Sequence, residues 1–213
     1  MKLASHRRSP AIFRAVNLPN KLTAGRFALT AVFVWVLFAP VPFHHTLALF
    51  FFCLAGVSDY LDGRIARDRK LITNFGILMD PLADKIMTCS AFIAFVQSTH
   101  QTLHPPVTVE AWMVIIIVAR ELAITGLRLL AASKQVVLAA EGYGKHKTVS
   151  QIVAIIALLI VDAANEWPSW LQHLFQGWMP VFAEIVLWVT IVLTLTSGVL
   201  YLWRNRALYM SEV

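Results

Sequence analysis

Long apolar runs recur along this chain and are separated by short polar connections. Six of the runs approach the ~20 apolar residues that an α-helix needs to cross the hydrocarbon core of a bilayer. Of the 213 residues, 58% are hydrophobic and 14% are charged, whereas a soluble domain carries roughly 25% charged residues. The sequence therefore predicts an all-α integral membrane protein with one transmembrane domain over residues 1–213. The six predicted transmembrane helices cover residues 22–39, 46–66, 82–99, 111–132, 147–162 and 181–203.

The lysine and arginine residues alternate from one connection to the next. All 18 of them lie in four regions, at residues 2–26, 64–85, 120–147 and 204–206. The other connections contain none, and they are residues 40–45, 100–110 and 163–180. Positive charge marks the cytoplasmic side of a membrane protein, so both termini are predicted to be cytoplasmic. We therefore attribute the net charge of +6 to membrane topology and expect no nucleic-acid partner.

Residues 1–20 form a basic segment ahead of the first predicted span. Ile12 and Phe13 stand next to Arg14, a mixture that is typical of an amphipathic helix in the membrane interface. A basic tail without regular structure explains the pattern equally well. A cleaved signal peptide fits less well, because the charged region extends to Arg26 and no small-residue cleavage pattern follows it.

Charged residues inside predicted spans two to five lie towards their cytoplasmic ends. A charged side chain that faces lipid is costly, so such residues face one another or a water-filled cavity. The sequence therefore predicts a polar cavity that opens to the cytoplasm within the inner half of the membrane.

Four aspartates stand in two helically spaced pairs around the second connection. Asp59 and Asp62 are three residues apart and Asp80 and Asp84 are four apart, so each pair shares one face of a helix. Carboxylate oxygens are the ligands that hard divalent cations prefer, and the four together predict a metal site. Helix capping or pairing with neighbouring basic residues explains any one aspartate, but it does not explain the ordered set.

Polar residues in the fourth and fifth predicted spans indicate an anionic substrate. Glu121, Thr125 and Arg128 are spaced by four and three residues, which places them in one stripe of a helix. Guanidinium groups bind phosphate through two parallel hydrogen bonds. The alternative is that the arginines pair with acidic residues and that the lysines only mark the cytoplasmic side. The candidate phosphate-binding residues are Arg120, Thr125, Arg128, Lys145 and Lys147.

The aspartates belong to a longer pattern, Asp59-x2-Asp62-Gly63-x2-Ala66-Arg67-x8-Gly76-x3-Asp80-x3-Asp84. This pattern resembles the complete motif of the CDP-alcohol phosphatidyltransferases. The resemblance implies the six-helix CDP-alcohol phosphotransferase fold, a homodimer, and attack of an alcohol on the β-phosphorus of a CDP-linked lipid with release of CMP. It also implies two divalent cations, Mg²⁺ or Mn²⁺, held by Asp59, Asp62, Asp80 and Asp84, with Asp84 as catalytic base. The implied nucleotide-binding residues are Asp59, Asp62, Gly63, Ala66, Arg67 and Gly76, and a further similarity over residues 17–26 adds Asn20 and Thr23.

Three further stretches, residues 17–26, 119–128 and 144–148, are similar to phosphatidylglycerophosphate synthases. This similarity implies transfer of the phosphatidyl group from CDP-diacylglycerol to sn-glycerol 3-phosphate in phospholipid biosynthesis, at the bacterial inner membrane. Two alternatives stay open on the residues alone. The same chemistry could use inositol phosphate or a neutral alcohol, and intramembrane carboxylates also occur in cation and proton transporters.

Overall fold

A computed structural model of the chain describes residues 18–69, 74–98, 107–136 and 143–210, and the regular secondary structure in these residues is helical. Within these ranges, the side chains of residues 18–23, 61–69, 74–81, 84, 98 and 143–145 lie outside the description. The helices are α1 (Leu18–Phe38), α2 (His44–Arg69), α3 (Asn74–Ser98), α4 (Ala111–Ser133), α5 (Tyr143–Ala163), α6 (Ser169–Gln176), α7 (Met179–Arg204) and α8 (Ala207–Met210), with a 3₁₀ turn at Ala164–Glu166.

Each of the six predicted spans overlaps one long helix, namely α1, α2, α3, α4, α5 or α7. Among the described residues, two helical segments are long and apolar enough to cross a bilayer, and shorter apolar segments occur in α1 and α3. The two long segments are His146–Glu166 and Met179–Arg204. The all-helical class is thus confirmed, and the apolar helices associate the chain with a membrane. That all six helices span the bilayer stays a prediction, and the predicted N-terminal interfacial helix falls almost entirely outside the described residues.

Helix α7 turns large apolar side chains outward. Val181, Ile185, Val192 and Val199 are each more than half exposed, and Trp203 near the end of the helix is 65% exposed. Soluble monomers rarely expose a contiguous apolar surface of this length. Lipid chains cover such a surface without an energetic penalty, which agrees with a membrane location for this helix.

The interior is formed by apolar faces of the six long helices. Helix α1 packs on α2 and α3, α4 packs on α3 and α7, and α5 packs on α2, α3 and α7. Phe33 of α1 and Phe52 of α2 are fully or almost fully buried, with ring centroids 5.6 Å apart. Because α1 and α5 both contact α2 and α3, they hold the two motif-bearing helices in the same part of the bundle.

The start of α3 differs from the sequence-based expectation. Proline is common in the first turn of a helix, so the sequence predicts that the third helix begins near Pro81. This boundary was wrong, because α3 begins at Asn74 and continues through Pro81. Proline has no amide N–H, so the helix lacks the bond to the carbonyl of Ile77, but the packing on three neighbouring helices maintains it. Asp80 and Asp84 consequently lie one turn apart on one helix.

The connection at residues 163–180 has more structure than its composition suggested. It contains the 3₁₀ turn and α6, whose side chains Trp170 and Leu174 are strongly exposed. A row of aromatic contacts follows, in which Trp178 lies 5.8 Å from the ring centroid of Phe182. Tryptophan is enriched where helices emerge from the membrane, so this region has the composition of an interfacial segment.

Glu166, in the 3₁₀ turn, caps the beginning of α2 from more than a hundred residues away. Its Oε1 accepts the amide N–H of His45 at 2.9 Å, and its Oε2 accepts the amide N–H of Thr46 at 2.9 Å. The Thr46 hydroxyl also donates to Oε2 at 2.7 Å and itself accepts from Trp167 Nε1 at 3.1 Å. The first amides of a helix have no partner within it, so this carboxylate supplies what the α2 sequence lacks.

Removing this cap should lower stability. In Glu166→Ala the amides of His45 and Thr46 lose their acceptor, and we expect a loss of about 1–3 kcal/mol, measured as a lower thermal midpoint of the detergent-solubilised protein. Glu110→Ala is the matched control, because Glu110 stands at the N-cap of α4 without a side-chain capping bond. Equal midpoints for the two variants would contradict the capping role of Glu166.

Candidate active site

Asp59 lies in the second half of α2 and forms an ion pair with Arg26 of α1. The Asp59 side chain is 44% exposed, whereas the Arg26 side chain is only 4% exposed. A buried guanidinium needs a counter-charge, because removal of one partner leaves an uncompensated charge in a medium that solvates it poorly. The pair therefore holds α1 against the part of α2 where the aspartate motif begins.

The structure describes only the backbone positions of the other three motif aspartates. Asp62 lies one turn after Asp59 on α2, and Asp80 and Asp84 lie one turn apart on α3, but the side chains of these three lie outside the described residues. Four carboxylates on two neighbouring helices suit a hard divalent cation, which takes oxygen ligands. The predicted nucleotide-binding residues are likewise placed by backbone only, with Asn20 and Thr23 on α1, Gly63, Ala66 and Arg67 on α2, and Gly76 on α3.

Glu121 is the centre of a buried ionic cluster near the midpoint of α4. Only 5% of its side chain is exposed. Its Oε1 forms an ion pair with Lys147 of α5 and lies 3.2 Å from Nη1 of Arg120. Its Oε2 lies 3.7 Å from Nζ of Lys85 on α3. One carboxylate therefore joins side chains from α3, α4 and α5.

Two further side chains complete the cluster. Gln151, one turn after Lys147 on α5, places Nε2 3.5 Å from Glu121 Oε1. The Thr125 hydroxyl accepts a hydrogen bond from Lys85 and donates to the Glu121 backbone carbonyl at 2.7 Å. Of the predicted phosphate-binding residues, the structure thus brings Arg120, Thr125 and Lys147 together around Glu121.

Arg128 lies apart from this cluster. It is eight residues beyond Arg120 on α4, about 12 Å along the helix axis, and its side chain contacts Tyr201 of α7. Arg128 Nε lies 3.5 Å from the Tyr201 hydroxyl, and the guanidinium carbon lies 5.7 Å from the centre of the ring. Lys145, the other predicted phosphate ligand, has its side chain outside the described residues.

Helix α7 supports Arg120 from the opposite side. Arg120 Nη2 donates to the Ser197 hydroxyl at 3.4 Å, and the aliphatic part of its side chain passes directly over Gly198. A Cβ atom on Gly198 would lie 2.8 Å from Arg120 Cγ, closer than real Cβ contacts. Arg120 also forms part of the wall of an apolar cavity of about 290 Å³ between α4 and α7. Glycine at position 198 is therefore what lets Arg120 lie where it does.

Sequence reasoning missed part of this cluster. The sequence pattern gives no role to Lys85, and it places Glu121 in a helical stripe with Thr125 and Arg128 without indicating that cations gather around it. Their convergence depends on packing among α3, α4 and α5, which the sequence does not specify. Gln151, Ser197 and Gly198 carry no local signal, because a single polar or small residue in an apolar helix is common.

A second group of metal-ligating atoms lies at the other end of α2. Atoms of His44, His45 and Glu166 lie within 4.8 Å of one another. His44 is 15 residues before Asp59, about 22 Å along the helix. Both oxygens of Glu166 already accept amide hydrogens, so the geometry is explained by capping of α2. It is separate from the aspartates that the motif indicates.

The sequence was compared with known protein families and curated proteins. The model of the CDP-alcohol phosphatidyltransferase family matches residues 16–196. The chain is similar to proteins named CDP-diacylglycerol–glycerol-3-phosphate 3-phosphatidyltransferase in several bacteria. In Bacillus subtilis strain 168 the identity is 39% over 201 residues, which cover 89% of this chain and 95% of the relative.

Two further relatives carry the same name. The protein of Escherichia coli K12 is 33% identical over 90% of this chain and 96% of its own length. That of Haemophilus influenzae Rd is 32% identical over 87% of this chain and 91% of its own length. The matched region includes every motif aspartate and the whole cluster around Glu121. On this evidence the chain belongs to the CDP-alcohol phosphatidyltransferase family.

Proposed function

We propose that this protein is a phosphatidylglycerophosphate synthase, which transfers the phosphatidyl group of CDP-diacylglycerol to sn-glycerol 3-phosphate and releases CMP. Membership of a family of transferases makes the chain an enzyme and removes the transporter alternative. The choice of acceptor is supported by the names of relatives that match about nine tenths of the chain. It is also supported by the three cationic side chains gathered around Glu121, since sn-glycerol 3-phosphate is an anion.

The acceptor phosphate is assigned to the cluster on α3, α4 and α5. Arg120 offers a planar guanidinium that binds phosphate through two hydrogen bonds, and Lys147 and Lys85 add two ammonium groups. A neutral alcohol carries no negative charge that these three cations would compensate. We place Arg128 and Lys145 at the cytoplasmic approach to this site, where they would attract the anion before it binds.

The nucleotide and its metals are assigned to the aspartates. Two divalent cations, Mg²⁺ or Mn²⁺, bound by Asp59, Asp62, Asp80 and Asp84, would neutralise charge on the pyrophosphate of CDP-diacylglycerol. Asn20, Thr23, Gly63, Ala66, Arg67 and Gly76 would line the nucleotide pocket. The chemistry of phosphoryl transfer is mostly positioning and charge neutralisation, and the donor set on α2 and α3 fits that demand.

Asp84 is assigned as the general base. Its carboxylate would accept the proton of the primary hydroxyl of sn-glycerol 3-phosphate. The oxygen then forms a bond to the β-phosphorus, the bond from that phosphorus to the bridging oxygen breaks, and CMP leaves with the electron pair. Lys85 follows Asp84 directly in α3 and reaches the Glu121 cluster, so adjacent residues serve the proposed base and the proposed acceptor site.

The architecture proposed for the working enzyme is a single domain over residues 1–213 with six transmembrane helices. Both termini would be cytoplasmic in the bacterial inner membrane, and the protein would be a homodimer. The distribution of lysine and arginine supports this orientation, and the outward apolar face of α7 supports contact with lipid. The acceptor, which is soluble in water, would then enter from the cytoplasm.

Acceptor competition tests the proposed function. Purified protein with Mg²⁺ and CDP-diacylglycerol should release CMP with sn-glycerol 3-phosphate and much more slowly, by at least 100-fold, with inositol phosphate, inositol or choline. Inositol and choline lack the phosphate that the cluster would compensate, and for inositol phosphate the expectation rests on the names of the relatives. Rapid CMP release with one of the others and none with sn-glycerol 3-phosphate would overturn the choice of acceptor.

Replacement of Asp84 tests its role as base. General-base catalysis contributes about 10²–10⁴-fold to a rate, so Asp84→Asn should lower kcat at least 100-fold, and more if metal is also lost. In the presence of Mg²⁺, the Asp84→Asn protein should still bind CDP-diacylglycerol at a level that equilibrium dialysis can measure. Chelation with EDTA should abolish CMP release from the wild type, and added Mg²⁺ or Mn²⁺ should restore it. Near-normal turnover by Asp84→Asn would exclude this residue as the base.

The packing of Gly198 on Arg120 gives a test of the acceptor site that leaves its charges unchanged. In Gly198→Ala the new methyl group has to displace Arg120, and we expect the KM for sn-glycerol 3-phosphate to rise about tenfold, which corresponds to roughly 1.4 kcal/mol of transition-state stabilisation. Gly56→Ala is the control, because a Cβ at Gly56 meets nothing within 4 Å. Wild-type kinetics for Gly198→Ala would show that the position of Arg120 is unimportant.

A further inference from the structure

The Glu121 carboxylate is held by more polar partners than a simple ion pair needs. Lys147, Arg120 and Gln151 all lie within 3.5 Å of Oε1, and Lys85 lies 3.7 Å from Oε2. The two lysines come from two different helices, α3 and α5. Glu121 is thus the one acidic member of the cluster formed by these described residues, and each of the three cations reaches it.

The charge of this cluster is not balanced by Glu121 itself. One carboxylate and the three cations Lys85, Arg120 and Lys147 carry a net charge of +2, counted over these four side chains. A phosphate monoester carries about −1.5 to −2 at pH 7. Three cations gathered at one carboxylate suit a phosphorylated acceptor, and Glu121 reduces the repulsion among them.

We propose that Glu121 is a positioning residue for the acceptor phosphate, fixing Lys85, Arg120 and Lys147 as a preorganised binding site. The proposal rests on the proposed function, because it takes the phosphate of the acceptor as the ligand. Long lysine and arginine side chains lose much conformational freedom when they are fixed. If the Glu121 carboxylate orders these side chains before the acceptor arrives, binding of the acceptor does not carry the entropic cost of ordering them. Such preorganisation increases affinity.

A purely structural role for Glu121 is the competing explanation. The same carboxylate joins α3, α4 and α5, and its removal leaves buried cations without compensation. The two roles differ in what they affect. A structural role predicts lower stability with both substrates affected alike, whereas a positioning role predicts a specific effect on the acceptor.

The test is steady-state release of CMP by the purified full-length protein, with each substrate varied at a saturating concentration of the other. Glu121→Gln should raise the KM for sn-glycerol 3-phosphate at least tenfold and change the KM for CDP-diacylglycerol by less than twofold. Glu121→Asp keeps the charge and should give an intermediate KM. Glu110→Gln, the same replacement at the exposed start of α4, should match the wild type.

A double variant separates positioning from charge compensation. Glu121→Gln combined with Lys147→Met removes one negative and one positive charge, so the thermal midpoint should return towards that of the wild type. Lys147 is itself a proposed phosphate ligand, so the reference for the acceptor KM is Lys147→Met alone. The double variant should have the higher acceptor KM of the two, because Lys85 and Arg120 also lose the carboxylate that holds them. If Glu121→Gln fails to fold, Glu121→Asp and the double variant provide the comparison.

Two results would overturn the positioning role. One is an unchanged acceptor KM in a folded Glu121→Gln protein, and the other is an acceptor KM in the double variant that is no higher than in Lys147→Met alone. The proposed function is judged separately, by the acceptor that the wild type uses. If the wild type prefers inositol phosphate, the proposed function fails, and the ratio of variant to wild-type KM for that phosphorylated acceptor still decides the role of Glu121.

Discussion

The ionic contacts of Glu121 lie near the midpoint of α4, in a bundle whose described interior is mostly apolar. An ion taken from water into such a place loses several kcal/mol of solvation, and attraction to a partner restores that loss only with good geometry. The contacts with Lys85, Arg120 and Lys147 supply that geometry from three helices. The relative positions of α3, α4 and α5 and the direction of Arg120 towards α7 therefore depend on one another.

A second carboxylate, Glu166, solves a different problem at the other end of α2. Its partners are mainly backbone amides and the Thr46 hydroxyl, so it compensates the unpaired donors of a helix terminus. Its site has no surplus of lysine or arginine among the described residues, and nothing there calls for an anionic ligand. The two glutamates therefore have different roles. Glu166 caps the beginning of a helix, whereas Glu121 contacts three cations with a single negative charge.

The positions of the long helices were largely predictable, because they depend on local patterns of apolar residues in the sequence. Apolar runs of helical length determine where the six long helices lie, and the spacing of Asp59 and Asp62 requires only that α2 be helical. The start of α3 was missed because proline is a weaker signal than the packing of the helix around it. The capping of α2 by Glu166 and the space that Gly198 leaves for Arg120 depend on contacts between residues far apart in sequence, for which no single-sequence pattern exists. The structure brings three of the predicted phosphate-binding residues, Arg120, Thr125 and Lys147, together around Glu121, in an arrangement that the sequence did not specify, and their roles stay predictions.

The bundle holds two polar regions, and a reaction between two phosphate-bearing substrates can use both. The motif supplies four aspartates, of which Asp59 pairs with the buried Arg26, and carboxylates suit divalent cations and the pyrophosphate that they would bind. Around Glu121, three cations contact one carboxylate, which suits an acceptor phosphate. Lys85 directly follows Asp84 in the chain and contacts Glu121, so α3 links the two regions. Under the proposed function, an anionic acceptor is therefore drawn to the cationic cluster, because three cations there can compensate its phosphate.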